Sequence, residues 1–399
     1  MLERKHIGIF GARNVGKSSL INMITKQDVS IVSAVAGTTT DPITKPIEIN
    51  GLGACVFIDT AGYDDTGTIG KMRVTRTKRV LERCDIAIFV LSSAIIADKQ
   101  QLNGAKRWFD LISGRCDTFL VINEFSHSED NEVLFTSELI DKNSWILNSS
   151  PIWVNAQTGE GRDKLLTTIG HHTNRYKDEK SIVTHLVKPG DMVLLVMPQD
   201  IQAPAGRLIL PQQQTIRELL DFGCAAICAT TATAASTLAK LGGKPDLIVT
   251  DSQAFSEVLE IKPDGVRLTS FSVLFAQWKG DIDTYIKGAD TLSRLNKNSR
   301  VLIAEACTHA PLAEDIGREK IPNLIHRHLH KDITIDFVAG NDWSDNITDY
   351  DLIIQCGACM FSRAQVMNRI KDATDVNVPI TNYGIAMAYF SKMIDKIVW

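Results

Sequence analysis

No stretch of this chain approaches the roughly 18 consecutive apolar residues that a membrane-crossing helix needs, so no membrane partner is expected. Charge of one sign is equally scarce. Lys and Arg total 43 against 47 Asp and Glu, a net charge of −4. That balance is too small to argue for nucleic acid as the main partner, and no basic run or RNA-binding motif marks the C-terminal half. Low-complexity tracts and short repeats are absent too, which leaves ordinary globular domains. Met1–Phe10 runs straight into strand-like sequence with no signal peptide, and a cytoplasmic location is expected. In that compartment the eight cysteines are not a disulfide framework; each is either a candidate metal ligand or a small buried residue.

What is present is globular material: 44% apolar and 23% charged residues in 399, enough for two or three domains. Apolar strand-like runs alternate with helical segments throughout, the mark of βαβ units and mostly parallel sheets. The expectation is therefore an α/β protein of three domains: a P-loop nucleotide-binding domain over 1–172, a polar linker over 173–184, a small α/β domain over 185–265, and a doubly wound α/β domain over 266–399. The second is near the lower size limit for independent stability and gains by pairing with a second copy, so it is the expected dimerisation domain.

The strand His6–Phe10 leads into Gly11-Ala12-Arg13-Asn14-Val15-Gly16-Lys17-Ser18 and then a helix starting at Ser19, a G-x-x-x-x-G-K-S loop in its required strand–loop–helix setting. Backbone N–H groups of Gly11 to Ser19 can wrap phosphates at the positive end of the helix dipole. Lys17 would neutralise β- and γ-phosphates and Ser18 would ligate Mg²⁺. Asp59 ends the strand Ala54–Ile58, where it can hold Mg²⁺ through water, and Gly62 can offer its N–H to the γ-phosphate. Between these motifs, Gly37-Thr38-Thr39-Thr40-Asp41 offers a hydroxyl to complete the Mg²⁺ shell, Thr39 first and Thr38 second.

The order of these motifs resembles the TrmE, Era and Der group of GTPases. The resemblance implies a potassium ion held with the help of Asn14, a guanine-reading Asn123, and a base loop at Asn155-Ala156-Gln157 with Ala156 in contact with the nucleotide. Tyr63 stands where other small GTPases carry a catalytic Gln. One departure matters: the guanine motif Asn-Lys-x-Asp reads Asn123-Glu124-Phe125-Ser126 here. A Ser hydroxyl cannot accept both guanine N–H groups as a carboxylate does, and losing such a charge-assisted pair costs about 2–3 kcal/mol. Weakened guanine selectivity and weak GTP hydrolysis are expected.

Cys356-Gly357-Ala358-Cys359 follows one strand of the last domain and Cys307 follows another, at the sheet edge where open α/β folds bind ligands. Three thiolates suit an iron–sulfur cluster with one iron left for another ligand, and equally a Cys₃His zinc site. If the strand persists, Glu305, Cys307 and His309 share a face, so Glu305 or His309 is a possible fourth ligand. Cys224 and Cys228 lack the third cysteine of a radical-SAM triplet and are expected to pack, as are Cys55, Cys84 and Cys116. His326, His328 and His330 read as a solvated helix end, and His171-His172 likewise.

The whole chain resembles the HydF family of FeFe-hydrogenase maturation GTPases, whose pattern is Cys-x-His and, some fifty residues on, His-Cys-x-x-Cys. Here these are Cys307-Thr308-His309 and Gln355-Cys356-Gly357-Ala358-Cys359, so the second His is replaced. The segments 203–212 and 250–255 are similar to the family's middle domain. The resemblance implies a 4Fe-4S cluster on Cys307, Cys356 and Cys359, a homodimer through the middle domain, and GTP/GDP, Mg²⁺ and K⁺ as cofactors. It also implies a scaffold that accepts a diiron precursor from two radical-SAM maturases and delivers it to the apo-hydrogenase. Two rival readings stay open: an RNA-associated GTPase, and a zinc-stabilised regulatory NTPase.

Overall fold

The computed structural model describes residues 5–25, 44–49, 53–64, 77, 79–124, 143–175, 181–198, 208–242, 244–306, 316–340, 343, 346–359 and 361–399. The chain divides into two compact units, Met1–Glu179 and Lys180–Trp399.

Unit 1 is built on six strands: β1 (Lys5–Gly11), β2 (Thr44–Ile49), β3 (Gly53–Asp59), β4 (Ile86–Ser92), β5 (Asp117–Asn123) and β6 (Ile152–Val154). Their order is β2-β3-β1-β4-β5-β6. All pair in parallel except β2, which runs antiparallel to β3. β4 is buried along its whole length, as the run Ile-Ala-Ile-Phe-Val-Leu requires of a central strand with helices on both faces. β2 carries Pro46 and two charged residues, so its sequence does not read as a strand; at the sheet edge a missing N–H is tolerated, and Pro46 lies opposite Val56. The sheet leaves its switch point at the carboxyl end of β1, where the Gly11–Ser18 loop enters the helix Lys17–Thr25.

Unit 2 holds two four-stranded parallel sheets. The first contains β7 (Met192–Val196), β8 (Ala225–Ala229), β9 (Leu247–Thr250) and β10 (Arg267–Ser270), in the order β10-β9-β7-β8. The second contains β11 (Arg300–Ala304), β12 (Thr334–Val338), β13 (Leu352–Gln355) and β14 (Ile380–Asn382), in the order β12-β11-β13-β14. β10 lies past the expected 265/266 division, yet pairs Leu268 with Ile248 and Thr269 with Val249 in the first sheet.

Alternation along β7 explains how the two sheets come to share a core. Val193 and Leu195 face Phe271, Leu274 and Phe275, whereas Leu194 and Val196 join the large core that also takes in Val301–Ala304. The helix Phe271–Lys279 contributes to both, with Val273 and Ala276 in the large core. This helix is apolar nearly all round, as an element buried on several sides must be.

Among the described residues, no helix is long and apolar enough to cross a membrane. Cys55, Cys84 and Cys224 are buried and Cys116 is half-buried, as expected of packing residues. Cys228 corrects the expectation: it is exposed, because β8 is the edge strand of its sheet.

Candidate functional site

In unit 1 the phosphate loop is shaped by close backbone approach. A Cβ at Gly11 would lie 2.7 Å from the Val90 carbonyl, so only glycine lets β1 turn there. Asn14 adopts a left-handed φ of 60°, a conformation its short polar side chain tolerates. Lys17 is nearly buried, and its Nζ donates to the Ala12 carbonyl at 2.6 Å and the Gly11 carbonyl at 3.2 Å, which holds the ammonium over the loop. Val15 is buried, and Gly16 accepts the N–H of Leu20 at 2.8 Å to start the helix that carries Ser18 and Ser19.

Ser18 Oγ donates to Asp59 Oδ2 at 2.7 Å, joining the phosphate loop to the end of β3. A hydroxyl and a carboxylate side by side, with no sulfur or imidazole among them, form an oxygen donor set that fits Mg²⁺. Gly62 presses on the same loop: a Cβ there would lie 2.7 Å from the Arg13 nitrogen. Asp64 accepts that Arg13 N–H at 2.8 Å. Thr38 and Thr39 lie outside the described residues.

Tyr63 takes no part in this cluster. Its ring stacks on Phe89 at 5.9 Å and on Trp108 at 5.6 Å, nearly parallel to both. Burial pushes its phenol well above the usual range, with nearby Asp64 acting in the same direction. The half-buried ring packs against the core of unit 1.

Asn123 is fully buried and ties three segments together. Its Nδ2 donates to the Val15 carbonyl at 3.0 Å, and its Oδ1 accepts the Ala156 N–H at 3.0 Å. The Gly11–Ser18 loop, the end of β5 and the 155–157 loop therefore meet at one amide. Glu124 is described, while Phe125 and Ser126 lie outside the described residues.

In unit 2 the cysteine turn leaves the carboxyl end of β13. The Cys356 N–H continues the β11–β13 ladder to the Ala304 carbonyl at 2.8 Å. The Cys356 sulfur accepts two backbone N–H groups, from Ala306 at 3.0 Å and Ala358 at 3.4 Å. Ala306 immediately precedes Cys307 in the sequence. Burial pushes the Cys356 thiol up to about 11, opposed in part by those two donors. Ala358 sits at a φ of 49°, a left-handed conformation that costs a residue with a Cβ about 1–2 kcal/mol.

Three cations surround the turn. Lys279, 3% exposed at the end of its helix, donates to the carbonyls of Ala358 (3.4 Å), Cys359 (3.2 Å) and Phe361 (2.6 Å). Arg363 reaches back to the carbonyls of Trp278 (2.5 Å) and Gly280 (3.3 Å). Arg369, 7% exposed, donates to the Gly340 carbonyl and lies between the rings of Trp343 and Phe361. None of the three was anticipated. A Lys closing an apolar run ordinarily reads as a solvated helix end, and only the tertiary fold brings it under a loop 80 residues away.

A shared face for Glu305, Cys307 and His309 depends on β11 continuing past Ala304. The strand ends at Ala304 and the chain bends at Ala306. Glu305 instead pairs with Arg318, its Oε2 accepting from Nε at 2.9 Å and Nη2 at 2.7 Å. Gln355 is buried and donates to the Tyr285 hydroxyl. Cys307 and His309 lie outside the described residues. Among the described residues no group of three His, Cys, Asp or Glu is placed to hold a metal ion, and Cys356 and Cys359 are the two expected sulfur ligands within that set.

Three family models cover the chain in succession. Residues 6–124 match the 50S ribosome-binding GTPase, 182–280 the hydrogen maturase F dimerization domain, and 283–399 the hydrogen maturase F tetramerization domain. The GTPase Der of Campylobacter hominis is 33% identical over 168 residues, 41% of this chain and 35% of that protein. The GTPase Der of Campylobacter fetus is 35% identical over 170 residues, with the same shares. The chain thus spans about a third of the length of these curated relatives. The solved structure of Era from Aquifex aeolicus, bound to GDP and AlF4, overlaps with a TM-score of 0.37 at 18% identity, covering 57% of this chain and 93% of that one. Unit 1 carries a P-loop GTPase domain.

Proposed function

With its GTPase segment followed by the two maturase segments, the chain belongs to the hydrogen maturase F family, and from that premise we propose that it is a nucleotide-switched scaffold for assembling the metal centre of an FeFe-hydrogenase. Unit 1 binds GTP or GDP with Mg²⁺ and hydrolyses GTP slowly. Lys17 neutralises the β- and γ-phosphates, and Ser18 and Asp59 hold Mg²⁺, with Thr39, or else Thr38, completing its shell. The Gly62 N–H faces the γ-phosphate, and Asn14 helps to hold K⁺. Asn123 and Ala156 frame the base. With Tyr63 locked in an aromatic stack, the attacking water is oriented by other groups, in keeping with slow turnover.

Unit 2 holds a 4Fe-4S cluster through Cys307, Cys356 and Cys359. Three thiolates leave one iron open to an exchangeable ligand, and that open position is the chemistry the cluster supplies. The observation that carries this reading is the 3.0 Å bond from Ala306 N–H to the Cys356 sulfur. It brings the residue beside Cys307 onto a sulfur 50 positions away in sequence. Backbone N–H groups directed at a sulfur stabilise the thiolate form that binds iron. Cys₃His zinc would place His309 in the fourth position. The carboxylate of Glu305 is engaged by Arg318, which favours a site left open on that side.

The family's domain names indicate self-association through both segments of unit 2. We assign the homodimer to the middle segment, whose edge strand β8 exposes Ala225 and Cys228. Radical-SAM maturases and the apo-hydrogenase are the partners, and the cytoplasm is the site of action. Ribosome binding, named for the model that matches 6–124, is the second reading; RNA retained at physiological salt would favour it. The scaffold reading is tested by producing the chain with and without the two maturases, then mixing it with apo-hydrogenase. Hydrogen evolution only after co-production with the maturases is expected. Equal activation by both preparations, or by neither, contradicts it.

A further inference from the structure

We propose that Lys279 is a positioning residue for the cysteine turn, holding its backbone in ligand-ready shape and setting the charge felt by the cluster. The inference rests on the cluster reading above and adds a residue that lies outside the cysteine motif. Three features of the turn and its surroundings lead to it. Lys279 is 3% exposed, and a buried ammonium persists only where strong acceptors surround it. Three of those acceptors are the carbonyls of Ala358, Cys359 and Phe361, all within or just after the cysteine turn. One of them belongs to Ala358, the residue held left-handed at φ 49°.

The contact is reciprocal. Lys279 runs from the helix end to the turn, while Arg363, just past the turn, returns to Trp278 and Gly280 on either side of Lys279. Two cations thus clasp the turn and the helix end together. The Lys279 charge also lies over the rings of Trp278 and Phe275, at 5.3 and 6.0 Å, inside the core. There the low dielectric carries its field further than it would in water. A cluster with three thiolate ligands gains negative charge on reduction, so a fixed cation beside it favours the reduced form and raises the potential.

The test compares wild type, Lys279→Gln and Lys279→Arg, each reconstituted anaerobically with iron and sulfide. Iron content is measured first, and the signal of the dithionite-reduced protein is then followed by EPR through a redox titration. Lys279→Gln, which keeps a donor but no charge, is expected to retain iron and to shift to a more negative potential. Lys279→Arg is expected to restore the wild-type potential. Unshifted potential and unchanged g-values in Lys279→Gln overturn the inference. Should Lys279→Gln be insoluble, the same measurement is made with Ala358→Gly added, which relieves the left-handed alanine. Insolubility that persists there shows Lys279 to be a core residue alone and also overturns the proposal. A wild type that takes up no iron sinks the cluster reading itself, whereas an iron-loaded wild type with unshifted variants sinks only this inference.

Discussion

The phosphate loop of unit 1 and the cysteine turn of unit 2 follow strands of the same kind, yet they are assembled in opposite ways. The phosphate loop is local. Gly11 to Ser19 supply the cradle from one run of sequence, and long-range contacts such as Ser18 to Asp59 and Asn123 to Val15 only brace it. The cysteine turn is bound together from a distance. Its sulfur takes an N–H from Ala306, and its carbonyls take a cation from the helix Phe271–Lys279. A local site survives loss of one brace with graded damage. A convergent one is expected to fail when a sulfur is removed and to shift its properties when a neighbouring cation is.

The sharpest way to break that comparison is to remove a sulfur. Cys307→Ala, Cys356→Ala or Cys359→Ala is each expected to drop iron from about four atoms per chain to under about one, measured after anaerobic reconstitution. A variant that keeps its full iron shows that its sulfur is not a ligand. Next in size, Lys17→Ala should lower GTP turnover by about 10²–10³-fold, as loss of a preorganised charge at the phosphates does, with cluster content unchanged. Coupled loss of iron in Lys17→Ala would contradict two independently built sites.

Asn123→Ala sharpens the contrast on the nucleotide side. It leaves the buried Val15 carbonyl and Ala156 N–H without their amide partner, a destabilisation of about 2–3 kcal/mol. Thermal unfolding should show a lower transition for unit 1, with weaker nucleotide binding. The smallest effect belongs to Tyr63→Phe. It deletes a buried hydroxyl that has no partner among the described residues, so stability should stay within about 1 kcal/mol of wild type or rise, and turnover should hold. A large loss of turnover would place the hydroxyl in the chemistry after all.

The same difference decides how much could be read before the fold was known. The G-x-x-x-x-G-K-S loop, Asp59 and Asn123 were legible because each sits at a fixed offset from a strand with a clear apolar pattern. β2 was not, since Pro46 and its charges mask an edge strand whose pairing with β3 tolerates both. β10 was not, since four residues give too little alternation to separate a strand from the start of the helix that follows. Lys279, Arg363 and Arg369 were invisible for a different reason: a cation enters a core only where loop carbonyls or aromatic rings meet it, and sequence spacing does not report that meeting. Glu305 was legible as an acid near the cysteines, but its engagement by Arg318 was not.

The two sulfurs at the end of β13, joined by Cys307, are proposed to bind iron. Purifying the chain without oxygen and assaying iron, acid-labile sulfide and zinc together tests this most directly. Iron and sulfide in equal amounts, about four each per chain, with negligible zinc are the predicted result. Stoichiometric zinc, or protein free of both metals after reconstitution, would contradict it.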